Sequence, residues 1–199
     1  MNNLQKYFII LLILAGLISI GYFVYLRLNS ENLNSETMII DNLTPEKNQK
    51  WVFFTDRVMG GVSSGKLEIG SEDGSKFYRM TGNVSTANNG GFIQFQADLS
   101  NISNTEEVFN GIKIKVRGNN ENYQIFIRTN LTVLPWQYYS SEFYASSQWK
   151  EIKLPFNSFK RSNFYQPKNI NNTDIRTLGI VAYGKNYSAD LNVGLIEFY

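Results

Sequence analysis

The sequence predicts an all-β domain, a sandwich or jelly roll, preceded by one N-terminal transmembrane helix. Three observations carry that reading. Residues 7–26 form an uncharged apolar run. From Met38 onward, short alternating or β-branched runs are separated by Gly, Asn and Ser clusters, as in antiparallel strands joined by turns. No long amphipathic helical pattern follows the apolar run.

Residues 1–6 are a short tail, and residues 7–26, YFIILLILAGLISIGYFVYL, form the anchor. At about 1.5 Å per residue, a helix of roughly twenty residues crosses a hydrocarbon core of about 30 Å. Lys6 and Arg27 bracket the run, and Tyr7, Tyr22 and Tyr25 lie near its ends, where amphipathic rings favour the membrane interface. A cleaved signal peptide has a shorter apolar region, about 7–15 residues, ending in a small-residue cleavage site. Here Tyr25-Leu26-Arg27-Leu28 closes the run, which favours an uncleaved anchor. The short tail places the N-terminus in the cytoplasm and the domain on the non-cytoplasmic side. Residues 27–37 are a polar linker and residues 38–199 the folded domain.

Composition bounds the chemistry. The chain has 199 residues, 43% of them hydrophobic and 15% aromatic, enough to fill one core. A net charge of +2, from 19 basic and 17 acidic residues spread along the chain, gives a nucleic acid no basic surface to bind. There is no cysteine, which excludes disulfides, thiolate nucleophiles and zinc-thiolate sites. There is no histidine either, which excludes Ser-His-Asp catalysis and the common zinc and non-haem iron sites. No cofactor and no metal site are expected. A nicotinamide-linked enzyme would need a separate nucleotide-binding domain, for which the chain has no room.

The clearest strand is 111–118, GIKIKVRG, with Ile112, Ile114 and Val116 on one side and Lys113, Lys115 and Arg117 on the other. The turn 118–122 and the run 123–129 after it read as its hairpin partner. Further strands are expected at 76–80, 91–97, 138–145, 149–154, 177–182 and 191–198. In the last, the apolar phase changes between Leu195 and Ile196, which predicts a bulge beside Gly194.

Two glycine pairs and one aromatic segment are the candidate functional features. In 51–65, WVFFTDRVMGGVSSG, Gly60-Gly61 permits positive φ or close backbone approach, and Asp56 and Ser63 can bond local amides. A tight capped turn explains this segment; a binding loop formed by Asp56, Arg57, Met59, Gly60, Gly61 and Ser63 is the functional alternative. Asn88-Asn89-Gly90-Gly91-Phe92 reads as a hairpin turn, with Asn89, Gly90 and Gly91 as further candidate contacts. Neither pair opens a helix or matches a phosphate-loop pattern. Trp136, Tyr138 and Tyr139 lie in an aromatic-dense stretch that serves either as core or as a platform for carbohydrate.

These segments together resemble the complex I intermediate-associated protein 30 family. Trp51, then Asp56-Arg57-Val58-Met59-Gly60-Gly61-Val62-Ser63, Thr81-Gly82-Asn83-Val84-Ser85 and Asn88-Asn89-Gly90-Gly91-Phe92 carry the resemblance. The runs 111–118, 149–159 and 175–180 continue it in the family's order. It implies a galactose-binding-like sandwich and, from the mitochondrial members, a non-catalytic chaperone role in assembling the membrane arm of respiratory NADH:ubiquinone oxidoreductase. Here a membrane anchor stands where those members carry a transit peptide. The expected partners are therefore the bilayer, through residues 7–26, and a membrane protein, with carbohydrate as the alternative ligand and no nucleic acid.

Overall fold

A computed structural model of the chain describes residues 16–22, 37–103 and 105–199. The chain divides into two units, 1–36 and 37–199. In the first, residues 16–22 are helical and exposed. The rest of the predicted anchor, the tail and the linker up to residue 36 lie outside the described residues. Among the described residues no helix is long and apolar enough to cross a membrane. The anchor therefore rests on the sequence alone.

The second unit packs two antiparallel sheets face to face. The first runs β3 (Ser64–Glu72), β4 (Ser75–Val84), β12 (Tyr187–Phe198), β6 (Gly111–Gly118), β9 (Lys150–Pro155), with β1 (Met38–Asp41) pairing the last residues of β12. The second runs β10 (Lys160–Arg161), β8 (Tyr139–Ala145), β7 (Glu121–Thr129), β11 (Ile175–Tyr183), β5 (Phe92–Asp98), β2 (Val52–Thr55). Alternation explains the layering. Ile112, Ile114 and Val116 of β6 face Ile125 and Ile127 of β7, Ile180 of β11 and Phe95 of β5 in one buried cluster. Each such side chain contributes about 1.5–3 kcal/mol through burial.

The bulge expected beside Gly194 is present. Val193 pairs with Val116 and Leu195 with Lys115, so Gly194 is the extra residue. That one-residue slip lets Leu191 and Val193 before it, and Ile196 and Phe198 after it, all point inward.

Two expected hairpins are not hairpins. β6 pairs with β9 and β12, whereas β7 pairs with β8 and β11, so the segment between them carries the chain from one sheet to the other. Asn88 to Gly91 likewise joins β4 in the first sheet to β5 in the second. Turn composition marks where a strand ends; it does not say whether the next strand pairs beside it or crosses the core, because both need the same polar, positive-φ residues. The true tight hairpin is β3–β4, where Asp73 (φ 49°) and Gly74 (φ 77°) form a two-residue loop between Glu72 and Ser75.

Candidate interaction site

Both glycine-pair segments are crossovers, and they meet at one end of the sandwich. Thr55 ends β2 and caps a 3-10 turn, Asp56–Met59, its hydroxyl oxygen accepting from the Arg57 amide. Gly60 closes the turn at φ 92°, a left-handed conformation that favours glycine. The turn aims the Asp56 side chain inward, where it is 0% exposed. Its carboxylate then collects four donors. Oδ1 accepts from the Ser63 amide at 2.9 Å, and Oδ2 accepts from the Ser63 hydroxyl at 2.5 Å, the Gly91 amide at 2.6 Å and the Phe92 amide at 3.2 Å. The Ser63 oxygen in turn accepts from the Ser85 amide at 2.9 Å, tying in the end of β4.

The glycines make room for this carboxylate. A Cβ on Gly61 would lie 2.3 Å from the Asp56 carboxyl carbon, and one on Gly90 would lie 2.4 Å from Oδ2. Gly91 is held at φ 135°, and the Gly184 amide donates to its carbonyl at 2.8 Å. Burial by itself pushes the Asp56 carboxyl up, but the Ser63 hydroxyl and the Gly91, Ser63 and Phe92 amides outweigh it and hold it below the ordinary carboxylate value. An ionised, fully bonded Asp56 thus staples two loops that are far apart in sequence.

The structure divides the candidate residues accordingly. Asp56, Gly61, Ser63 and Gly91 are buried in the staple, and Gly90 lies against it. Arg57, Met59, Gly60 and Asn89 are exposed. Val58 at 71% and Met59 at 67% exposure, with Val62 beside them, form an apolar tip on a braced loop. Val58 and Val62 are absent from the sequence-based candidates, although both are apolar side chains in the loop that holds Met59.

The aromatic candidates separate as well. Tyr139 is turned inward, 1% exposed, its hydroxyl donating to the Pro167 carbonyl at 2.9 Å, so it has no place in a surface platform. Tyr138 lies on the outward face of the second sheet, stacked on Phe126 at 4.1 Å, with Tyr183 edge-on to Phe126 at 5.5 Å. Burial and the Tyr183 hydroxyl push the Tyr138 phenol up to about 12. Gln124, next on that face of β7, sits across from Val181, and Gln96 across from Gly179, so amides and aromatics alternate there. Trp136 is exposed in the loop before β8.

On the outer face of the first sheet a cleft of about 690 Å³ is lined by Phe77, Trp149, Lys115, Glu72 and Glu151. Its indole is already engaged: Trp149 Nε1 donates to Glu72 at 3.2 Å, and the Arg117 guanidinium lies 4.9 Å from the ring centre. Among the described residues no group of three or more carboxylates is placed to hold a metal ion.

A family profile, that of complex I intermediate-associated protein 30, matches residues 40–193, including the whole Asp56 staple. The chain belongs to that family. Among solved structures, the fold is similar to the family 11 carbohydrate-binding module of cellulosomal cellulase Lic26A-Cel5E of Clostridium thermocellum, at 18% identity and TM-score 0.64, covering 82% of this chain and 94% of that one. A structure of the family 11 module of the same organism in complex with a β-1,3-1,4-mixed-linked tetrasaccharide is similar at 17% identity and TM-score 0.64, covering 81% and 94%. The family 30 module of cellulase Cel9D-Cel44B, also of Clostridium thermocellum, follows at 10% identity and TM-score 0.56, covering 82% and 97%. These likenesses show the fold, a sandwich of two antiparallel sheets. No match is found among curated proteins.

Proposed function

We propose that this family member is a membrane-anchored, non-catalytic interaction domain that acts in assembling a membrane protein complex, the respiratory NADH:ubiquinone oxidoreductase named by its family. Residues 7–26 hold it to the bilayer, and the sandwich lies on the non-cytoplasmic side. The Asp56 staple carries this reading: a buried carboxylate fixes a loop that presents the apolar tip Val58, Met59 and Val62 outward, with Arg57 exposed beside it. A preorganised apolar tip costs little entropy on docking, and tethering raises its effective concentration toward membrane partners. The test is affinity capture from solubilised membranes with Val58→Asp, Met59→Asp. Both residues are exposed, so the variant stays folded; loss of a captured membrane protein supports the reading, and unchanged capture contradicts it. Gly61→Val is unsuitable, because it breaks the staple itself.

A second reading, carbohydrate binding, is favoured by the stacked Phe126 and Tyr138 beside the amides on the outward face of the second sheet. Titration with oligosaccharides, read as chemical shifts of the Gln96 and Gln124 side-chain amides, tests it, with Tyr138→Ala as the control.

A further inference from the structure

The end of the sandwich opposite the Asp56 staple carries a second exposed apolar cluster. Leu131, Val133, Leu134 and Trp136 project from the loop between β7 and β8, and Phe164 and Tyr165 from the loop after β10. Phe164 at 71%, Tyr165 at 76% and Val133 at 81% exposure are large apolar groups held in water.

Three arginines brace these loops through their backbone carbonyls. Arg128 donates to the Pro135 carbonyl at 2.5 Å and Arg161 to those of Phe164 and Gln166 at 2.9 and 2.6 Å, while Arg176 reaches the Thr132 carbonyl at 3.5 Å. Ser162 and Gln166 bond the two loops together, the Ser162 hydroxyl to the Trp136 carbonyl and the Gln166 amide to the Tyr138 carbonyl. Arg128, Arg161, Ser162 and Gln166 are engaged in shaping the loops, and the large apolar side chains named above are left outward.

The chain enters the domain at this same end. Met38 pairs with Phe198, and the Tyr199 carbonyl accepts from Asn110 and Gly111. The 105–110 segment is bonded to Asn172, and the Asp174 carbonyl accepts from Asn130 at the foot of the first aromatic loop. The linker 27–37 spans at most roughly 40 Å when fully extended, so a bilayer holding residues 7–26 is within reach of this end.

We infer that these two loops are a membrane-docking surface that seats in the interface of a phospholipid bilayer. The inference rests on the anchor in residues 7–26. Trp, Tyr and Phe are the side chains that partition to the headgroup level, and burying apolar side chains there supplies the driving force. With this end seated, strands of nine residues such as β11 raise the Val58 and Met59 tip roughly 30 Å above the headgroups, where it meets the exposed part of a membrane protein.

The test uses the full chain reconstituted in phosphatidylcholine vesicles with plain or acyl-chain-brominated lipid. The emission contributed by Trp136 is the difference between wild type and Trp136→Phe, a change at an exposed site. Flotation with the vesicles, together with a Trp136 contribution that is lower in brominated than in plain lipid, is the expected result, because an indole at the headgroup level lies close to the acyl chains. Val133→Asp with Phe164→Asp should float equally and lose the quenching. Flotation with a Trp136 contribution that is the same in both lipids overturns the docking surface and leaves the anchor standing. A chain that stays in solution overturns both.

Discussion

Asp56→Asn replaces one oxygen by nitrogen, yet the staple makes it a severe change. The carboxylate receives only donors: the Ser63, Gly91 and Phe92 amides and the Ser63 hydroxyl. An amide side chain turns an NH₂ toward at least one of them in either orientation. If its oxygen faces Ser63 N–H, the NH₂ confronts Gly91 and Phe92; if it is flipped, Ser63 N–H is opposed. Hydrogen bonds to a charged group are worth about 1.5–3 kcal/mol each, and an unpaired buried donor costs about 1–3 kcal/mol. With some relaxation at a loop, the net loss is about 3–5 kcal/mol, a large share of the roughly 5–15 kcal/mol typical of a domain. At about 2–4 °C per kcal/mol, the melting temperature falls by roughly 6–20 °C. The pH dependence follows from the lowered pKa of Asp56. Its stabilisation is whole above the unfolded carboxylate value of about 3.9 and is lost as pH falls through the lower folded value. The wild type therefore loses stability in that acid window, and Asp56→Asn loses less. Urea denaturation followed by tryptophan emission at neutral and acid pH measures both effects. A variant within about 0.5 kcal/mol of wild type, with the same acid profile, would refute the staple.

The cradle glycines should follow the carboxylate. Gly61→Ala and Gly90→Ala each destabilise by about 2 kcal/mol or more, because the new methyl overlaps Asp56. Gly60→Ala, where the space is open but φ is 92°, costs about 1–2 kcal/mol. Reversal of this order in thermal melts would contradict the packing. Lys113 pairs with the buried Glu197. Lys113→Met therefore costs about 3 kcal/mol, and adding Glu197→Met recovers most of it; a double variant no better than the single would argue against the pair. Arg79 and Asp190 form a two-bond pair on an exposed face. Arg79→Ala should cost about 0.5 kcal/mol, and less in high salt.

The strands that build the core were legible in the sequence because alternation has a physical cause on both faces. β6 matched residue for residue, and the change of phase at Leu195 and Ile196 located the Gly194 bulge. β3 was missed: SGKLEIGSE has two apolar residues among nine and lies at a sheet edge, where neither face demands apolar groups. Sheet membership was not legible either. The segment 118–122 and Asn88 to Gly91 have turn chemistry, but whether a turn leads to a neighbour or across the core depends on partners tens of residues away. The staple shows the same division. Asp56 and Ser63 were visible as residues able to bond local amides, and Asp56 does accept from the Ser63 amide. The capture of Gly91 and Phe92, across 35 and 36 positions, needed the fold. Tyr139 illustrates the converse, because a single position decides between surface and core: Tyr138 faces out and Tyr139 faces in.

The central claim is that the braced tip at Val58 and Met59 meets a membrane-protein partner. Site-specific photo-crosslinking tests it most directly, with a photoreactive residue at position 59 and, as a control, at Ile69, which is equally exposed on β3. The account predicts a discrete membrane-protein adduct from position 59 that is absent from position 69 and disappears with Val58→Asp. Adducts of equal yield from both positions, or none from position 59 in intact membranes, would contradict it.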